Sequence, residues 1–295
     1  MKHFCSMIEK ENFTIQGAEN RSFLADLQYN PDTQHAPLVL FLHGFKGFKD
    51  WGHFNLLAEY LVKNGFAVMK INFSHNGTTP EKPVDFADLE AFGNNSLAKE
   101  LLDIKAAVDF VWSEPATLGQ SAAHFSRFNR DDLTLMGHSR GGGTAVVFAA
   151  ADKRVKRLVT LASIASVEGR FTDDQIHEWQ ESGVIYIHNG RTNQDMPMYR
   201  QMLDEYRQHK SQLDPLENAA YLKCPYLIIH GSEDETVPMN EARQLLDAAP
   251  DARLHIVEGA GHTFGGKHPY PEKTLPAHTI EALERAVKFI KKHSA

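Results

Sequence analysis

The chain has 295 residues, of which 42% are hydrophobic and 23% charged, enough for one large core that needs no covalent staple. Its formal net charge of -7 leaves no broad basic surface to neutralise phosphates, which argues against nucleic acid as a partner.

The N-terminus, Met1-Lys2-His3-Phe4-Cys5, runs into Glu9, Lys10 and Glu11 without the apolar stretch of a signal peptide. The longest apolar run, 37–42, is too short to span a bilayer. The expectation is therefore a cytoplasmic protein with no membrane partner. Segments before Tyr29 read as an antiparallel edge, and continuous apolar runs at 38–42, 67–73, 133–136, 158–162, 226–229 and 254–257 read as buried parallel strands. Helical periodicity separates them. Its clearest case is Leu97, Leu101, Ile104, Val108 and Val111, whose alternating spacing of four and three places one apolar stripe against a sheet face. The pattern predicts one α/β domain over 1–295, a mostly parallel sheet covered by helices on both faces.

Segment 167–222 interrupts the strand and helix alternation and is read as a lid inserted after the sixth strand. Thr172 and Gln175 form a capping-box pattern, with Phe171 and Ile176 as its hydrophobic staple, and Gly183 is the expected stop. Residues 184–188 then read as the first arm of a hairpin, with Asn189-Gly190 as a type I′ turn, and a second helix is expected after Pro197.

Gly137-His138-Ser139-Arg140-Gly141 follows the strand at 133–136 and precedes a small-residue helix, 144–151. A G-x-S-x-G elbow requires this context, because the strand-to-helix turn is sharp and the helix N-terminus places partial positive charge near a developing oxyanion. Serine needs a histidine to take its proton and an acid to orient that histidine. Asp234 follows the strand at 226–229 and His262 follows the strand at 254–257, in the chain order serine, acid, histidine. Glu233, Glu235 and His268 are their nearest rivals. His43-Gly44-Phe45 follows the strand at 38–42, so the backbone N–H groups of Phe45 and Arg140 are the candidate oxyanion donors.

These motifs, together with His262-Thr263-Phe264-Gly265-Gly266-Lys267-His268-Pro269, resemble the α/β-hydrolase superfamily and, within it, bacterial esterases related to feruloyl and cinnamoyl esterases. The resemblance covers most of the chain. It implies ester hydrolysis through an acyl-enzyme, with no metal or organic cofactor and a lid that shapes the acyl pocket. The same scaffold carries peptidases, thioesterases and lipases, and a binding protein could keep the pocket without turnover, so those readings stay open.

Other chemistries fit less well. Cys5 and Cys224 form no C-x-x-C, and no H-E-x-x-H occurs among the 16 histidines, so the cysteines read as free thiols and no metal is indicated. Gly261 to Lys267 has phosphate-loop spacing, but His268 replaces the hydroxyl residue and Pro269 disfavours the helix such a loop needs. The expected partner is a small-molecule ester of modest or aromatic acyl group, and Trp179, Tyr186, Met198 and Tyr199 of the lid are its expected contacts. The oligomeric state is left open, a homodimer included.

Overall fold

The computed structural model describes residues 7–113 and 128–294. Cys5 and the rest of the leading segment 1–6 fall outside them. Cys224 is a buried free thiol, and burial pushes its pKa up to about 11.

An antiparallel pair, β1 (Glu9–Gln16) and β2 (Ser22–Tyr29), opens the chain. There follow β3 (Ala36–Leu42), α1 (Phe54–Lys63), β4 (Ala67–Ile71), α2 (Leu89–Gly93), α3 (Leu97–Trp112), β5 (Phe128–His138), α4 (Arg140–Ala151) and β6 (Val155–Leu161). After a long excursion, β9 (Tyr226–Gly231), α9 (Met239–Ala248), β10 (Ala252–Val257) and α10 (Ala277–His293) complete the chain. The eight strands order as β1-β2-β4-β3-β5-β6-β9-β10, antiparallel as far as the β2–β4 pair and parallel from β4 onward. The strand at 133–136 proves longer than its apolar run, because its first residues pair with Ala36 and Pro37 at the start of β3.

Strand periodicity decides which side chain meets which face. Leu38, Leu40 and Leu42 of β3 join the cluster under α3 and α4, whereas Val39 and Phe41 join the one under α1 and α10. Helix α3 turns Ile104, Ala107, Val108 and Val111 onto the sheet, and Ser96 caps it by accepting from the Lys99 amide at 3.3 Å. On the other face Phe54, Leu57 and Leu61 of α1 are each buried, a gain of roughly 2 kcal/mol per side chain on leaving water. Among the described residues no helix is long and apolar enough to cross a membrane.

The excursion between β6 and β9 carries α5 (Asp173–Ser182), a separate hairpin of β7 (Val184–Asn189) and β8 (Gln194–Tyr199), then α6 (Gln201–Gln208), α7 (Lys210–Leu213) and α8 (Pro215–Ala219). The Thr172–Gln175 capping box forms and Gly183 takes the left-handed conformation that ends α5. The hairpin corrects one expectation, since Asn189-Gly190 is not a two-residue type I′ turn. Asn189 pairs with Gln194 across a four-residue loop, its Oδ1 accepts from the Arg191 amide at 3.2 Å, and the positive φ falls on Asn193. An Asx turn competes well with the primed turn because the asparagine side chain bonds its own chain two residues on. The helix expected after Pro197 forms and begins at Gln201, Pro197 itself lying within β8 opposite Tyr186.

Candidate active site

All four expected motifs lie at carboxyl ends of parallel strands, where loops from neighbouring strands converge. Ser139 follows β5 directly and caps α4 at φ 56°, ψ −122°, a conformation rare for a residue with a side chain. Its neighbours must be small for this turn to close. A Cβ on Gly44 would stand 2.9 Å from the Ser139 Cβ, and one on Gly141 would collide with the His43 carbonyl. Backbone bonds hold the elbow from both sides: the Ser139 amide donates to the Leu161 carbonyl at 2.9 Å, and the Ser139 carbonyl accepts from Gly142 at 2.9 Å.

His262 reaches back from the loop after β10. In its Nδ1–H tautomer it accepts from Ser139 Oγ at Nε2, 3.0 Å away, and donates to Asp234 Oδ2 at 2.9 Å. Asp234 Oδ1 is occupied by the amides of Thr236 at 2.9 Å and Val237 at 2.8 Å, which fixes the carboxylate plane. Burial works against ionisation of Asp234, but its bond to His262, that ring's charge and the Val237 amide outweigh it, so its pKa lies below the usual carboxylate range. His230 supports the same acid, lying 3.4 Å from Oδ2 while donating Nε2–H to the Val237 carbonyl at 2.8 Å. The three residues therefore form one hydrogen-bonded chain able to pass a proton from the serine hydroxyl to the imidazole. Glu233, Glu235 and His268 stand outside that chain, His268 instead accepting from the Gly52 amide at 2.9 Å.

The N–H groups of Phe45 and Arg140 donate to no acceptor among the described residues, and both residues line space beside Ser139. The Phe45 loop is held by His43, which donates Nδ1–H to the Gly44 carbonyl at 2.9 Å and accepts the Phe73 amide at Nε2. Burial holds that imidazole neutral, its pKa down to about 4. Behind the elbow, the buried Glu100 pairs with Arg140 Nε at 2.9 Å, accepts from Thr144 at 2.9 Å and from Asn95 at 2.8 Å. None of this buried polar shell was legible in the sequence, where Glu100 is one charged residue in a helical stripe.

Ser139 opens on two cavities. One, about 380 Å³, lies under the excursion and is lined by Ile164, Val167, Phe171, Ile187, Met198 and Val237 among others. The second, about 410 Å³, lies toward Trp51, Phe54 and His268. Of the four expected lid contacts, Met198 alone lines either cavity. Trp179 is fully buried in the excursion's own core against Phe171, Tyr186 is 62% exposed to solvent, and Tyr199 donates to Glu90 at 2.5 Å. Strand alternation explains the pair Tyr186 and Ile187: adjacent residues of β7 face opposite ways, and the aliphatic one faces inward.

The chain is 23% identical over 274 residues to 2-hydroxy-6-oxononadienedioate/2-hydroxy-6-oxononatrienedioate hydrolase 1 of Dechloromonas aromatica (strain RCB), covering 82% of this chain and 86% of that one. It is 21% identical over 245 residues to the acylamino-acid-releasing enzyme of Homo sapiens, 80% of this chain but 29% of that protein. Among solved structures, Est1E of Butyrivibrio proteoclasticus with bound ferulic acid superposes with a TM-score of 0.70 at 17% identity, over 95% of this chain and 98% of that one. The model of the alpha/beta hydrolase family matches residues 39–272, and with the sheet order and strand-end loops described above, the chain belongs to that family.

Proposed function

We propose that the protein is a serine esterase that hydrolyses small or aromatic carboxylic esters through an acyl-enzyme. The observation that carries this reading is the hydrogen-bonded chain Ser139, His262, Asp234, with the serine hydroxyl opening on both cavities. Ser139 is the nucleophile, His262 the general base and then acid, and Asp234 the group that fixes the histidine tautomer. The amides of Phe45 and Arg140 receive the oxyanion. Segment 167–222 acts as the lid of a single domain, its Val167, Phe171, Ile187 and Met198 supplying an apolar wall for the acyl group. The likeness to a ferulate-bound esterase supports an aromatic acyl group.

The test is pre-steady-state release of p-nitrophenolate from p-nitrophenyl acetate, followed by sustained turnover. A stoichiometric burst is expected in the wild type, and Ser139→Ala should lower kcat about 10³-fold or more while its far-UV spectrum is retained. Turnover that survives the substitution would remove the serine mechanism.

A further inference from the structure

Lys46 lines both cavities beside Ser139, and the remaining cations divide between them. In the cavity under the lid, Arg140 is paired with Glu100, and Arg170 is paired with Glu241 and the Thr236 carbonyl. In the cavity toward Trp51 the lining includes Lys46, Arg191 and Lys267 but no carboxylate. Lys267 reaches Glu272 at 3.5 Å. Among the described residues Lys46 and Arg191 have no carboxylate within 4.0 Å, although the chain as a whole carries a net charge of -7. The Lys46 ammonium donates to the His188 carbonyl at 3.2 Å and lies 5.9 Å from the Phe45 ring centroid. Burial lowers its pKa. Arg191 feels the charge of Asp85 only at longer range, and its guanidinium is steered by aromatic faces, 5.5 Å from the Phe48 ring centroid and 5.3 Å from that of Phe86.

A third donor stands between them. Asn189, 5% exposed, also lines this cavity, and its Nδ2 is buried without a hydrogen-bond partner, while its Oδ1 is taken by the Arg191 amide. A buried donor left unpaired costs about 1–3 kcal/mol, which a bound acceptor would relieve. Two cations with no carboxylate within 4.0 Å among the described residues, and an orphan amide, stand where the Phe45 loop meets the β7–β8 loop and make a donor-rich site. A planar acceptor of negative charge suits such a set of donors.

We propose that this cavity is a carboxylate subsite, and that the esters cleaved at Ser139 carry a carboxylate on the part lodged toward Trp51. The aromatic walls Trp51 and Phe54 suit a flat group bearing that carboxylate. This rests on the esterase reading for its place in catalysis but not for the binding itself, so the test is calorimetric titration of the full chain with sodium benzoate and with benzamide, its neutral isostere. Benzoate should bind at least tenfold more tightly than benzamide. Arg191→Gln should abolish that preference and Arg191→Lys should keep part of it, Arg191 lying in an exposed loop where neither change threatens folding. Equal affinity for the two probes, no benzoate binding, or an unaltered preference in Arg191→Gln would overturn the subsite even if esters are cleaved. Benzoate binding that depends on Arg191, beside absent Ser139-dependent turnover, would keep the subsite and remove the esterase reading.

Discussion

His138 donates its Nε2–H to the backbone carbonyl of His262 across 3.0 Å, so the residue before the elbow serine holds the loop of the proposed base. Burial, followed by the neighbouring His262, pushes the His138 pKa down to about 3, which leaves the ring neutral through any assay range. His138 is thus a positioning residue. Removing the ring should free the His262 loop and cost one buried hydrogen bond, about 1–3 kcal/mol. His138→Phe is expected to lower kcat by roughly 10-fold or more with little change in KM, and His138→Gln, which keeps a donor, should recover part of the loss. Equal kinetics for the two variants would show that packing alone matters there.

The acid is open to a sharper test. Asp234 Oδ1 accepts two backbone amides, so an asparagine at that position must keep its oxygen toward them and turn its NH₂ toward His262 Nδ1. That orientation favours the wrong tautomer. Asp234→Asn should therefore lower kcat about 10³- to 10⁴-fold with folding preserved, whereas Glu233→Gln and Glu235→Gln should change it by less than about threefold. A dead Glu235→Gln beside an active Asp234→Asn would reassign the acid.

The proposed lid contacts separate two neighbours on one hairpin. Met198 lines the cavity and is 3% exposed, and Tyr186 is 62% exposed. Met198→Ala should raise KM for aromatic acyl esters about tenfold, the cost of lost apolar contact, and Tyr186→Ala should leave it within about twofold. Steady-state kinetics with p-nitrophenyl acetate and methyl ferulate decide the matter. A larger effect at Tyr186 would mean that the hairpin faces the other way.

Stability should fall as the medium is acidified below neutrality. Burial depresses the pKa of His43 to about 4, of His53 to about 4 and of His138 to about 3, against 6.5 for each in an open chain. The unfolded chain therefore binds protons that the native chain refuses, and the stabilisation present above about pH 6.5 is lost as pH falls toward 4. Asp103 works in the opposite sense, because burial raises its pKa to about 6 and the native state keeps its proton between about pH 4 and 6. Three protons taken up by the histidines on unfolding, less the one released by Asp103, leave about two. Urea midpoints should then drop clearly between pH 7 and pH 5. A midpoint flat across that range would mean that these rings are charged in the folded state.

Much of this protein follows from local pattern. Continuous apolar runs give the buried strands, the spacing of Leu97, Ile104, Val108 and Val111 gives α3, and Thr172, Gln175 and Gly183 give the ends of α5. Each depends on residues within a few positions of one another, and short-range sterics and hydrogen bonding act over that distance. Ser139, Asp234 and His262 could be singled out for a related reason, since each stands in a short strand-end loop whose small residues and order are constrained by the fold itself.

Tertiary structure decided what depends on long-range approach. Whether Asn189-Gly190 would turn in two residues, whether Trp179 faces the cleft or its own core, and which nitrogen His138 spends on His262 all depend on partners far away in the chain. The pairing of Arg140 with Glu100, 40 positions apart, and the lack of a carboxylate within 4.0 Å of Arg191 among the described residues, were equally invisible. A charge in a sequence has no environment. It acquires one only when folding removes water and chooses what stands in its place.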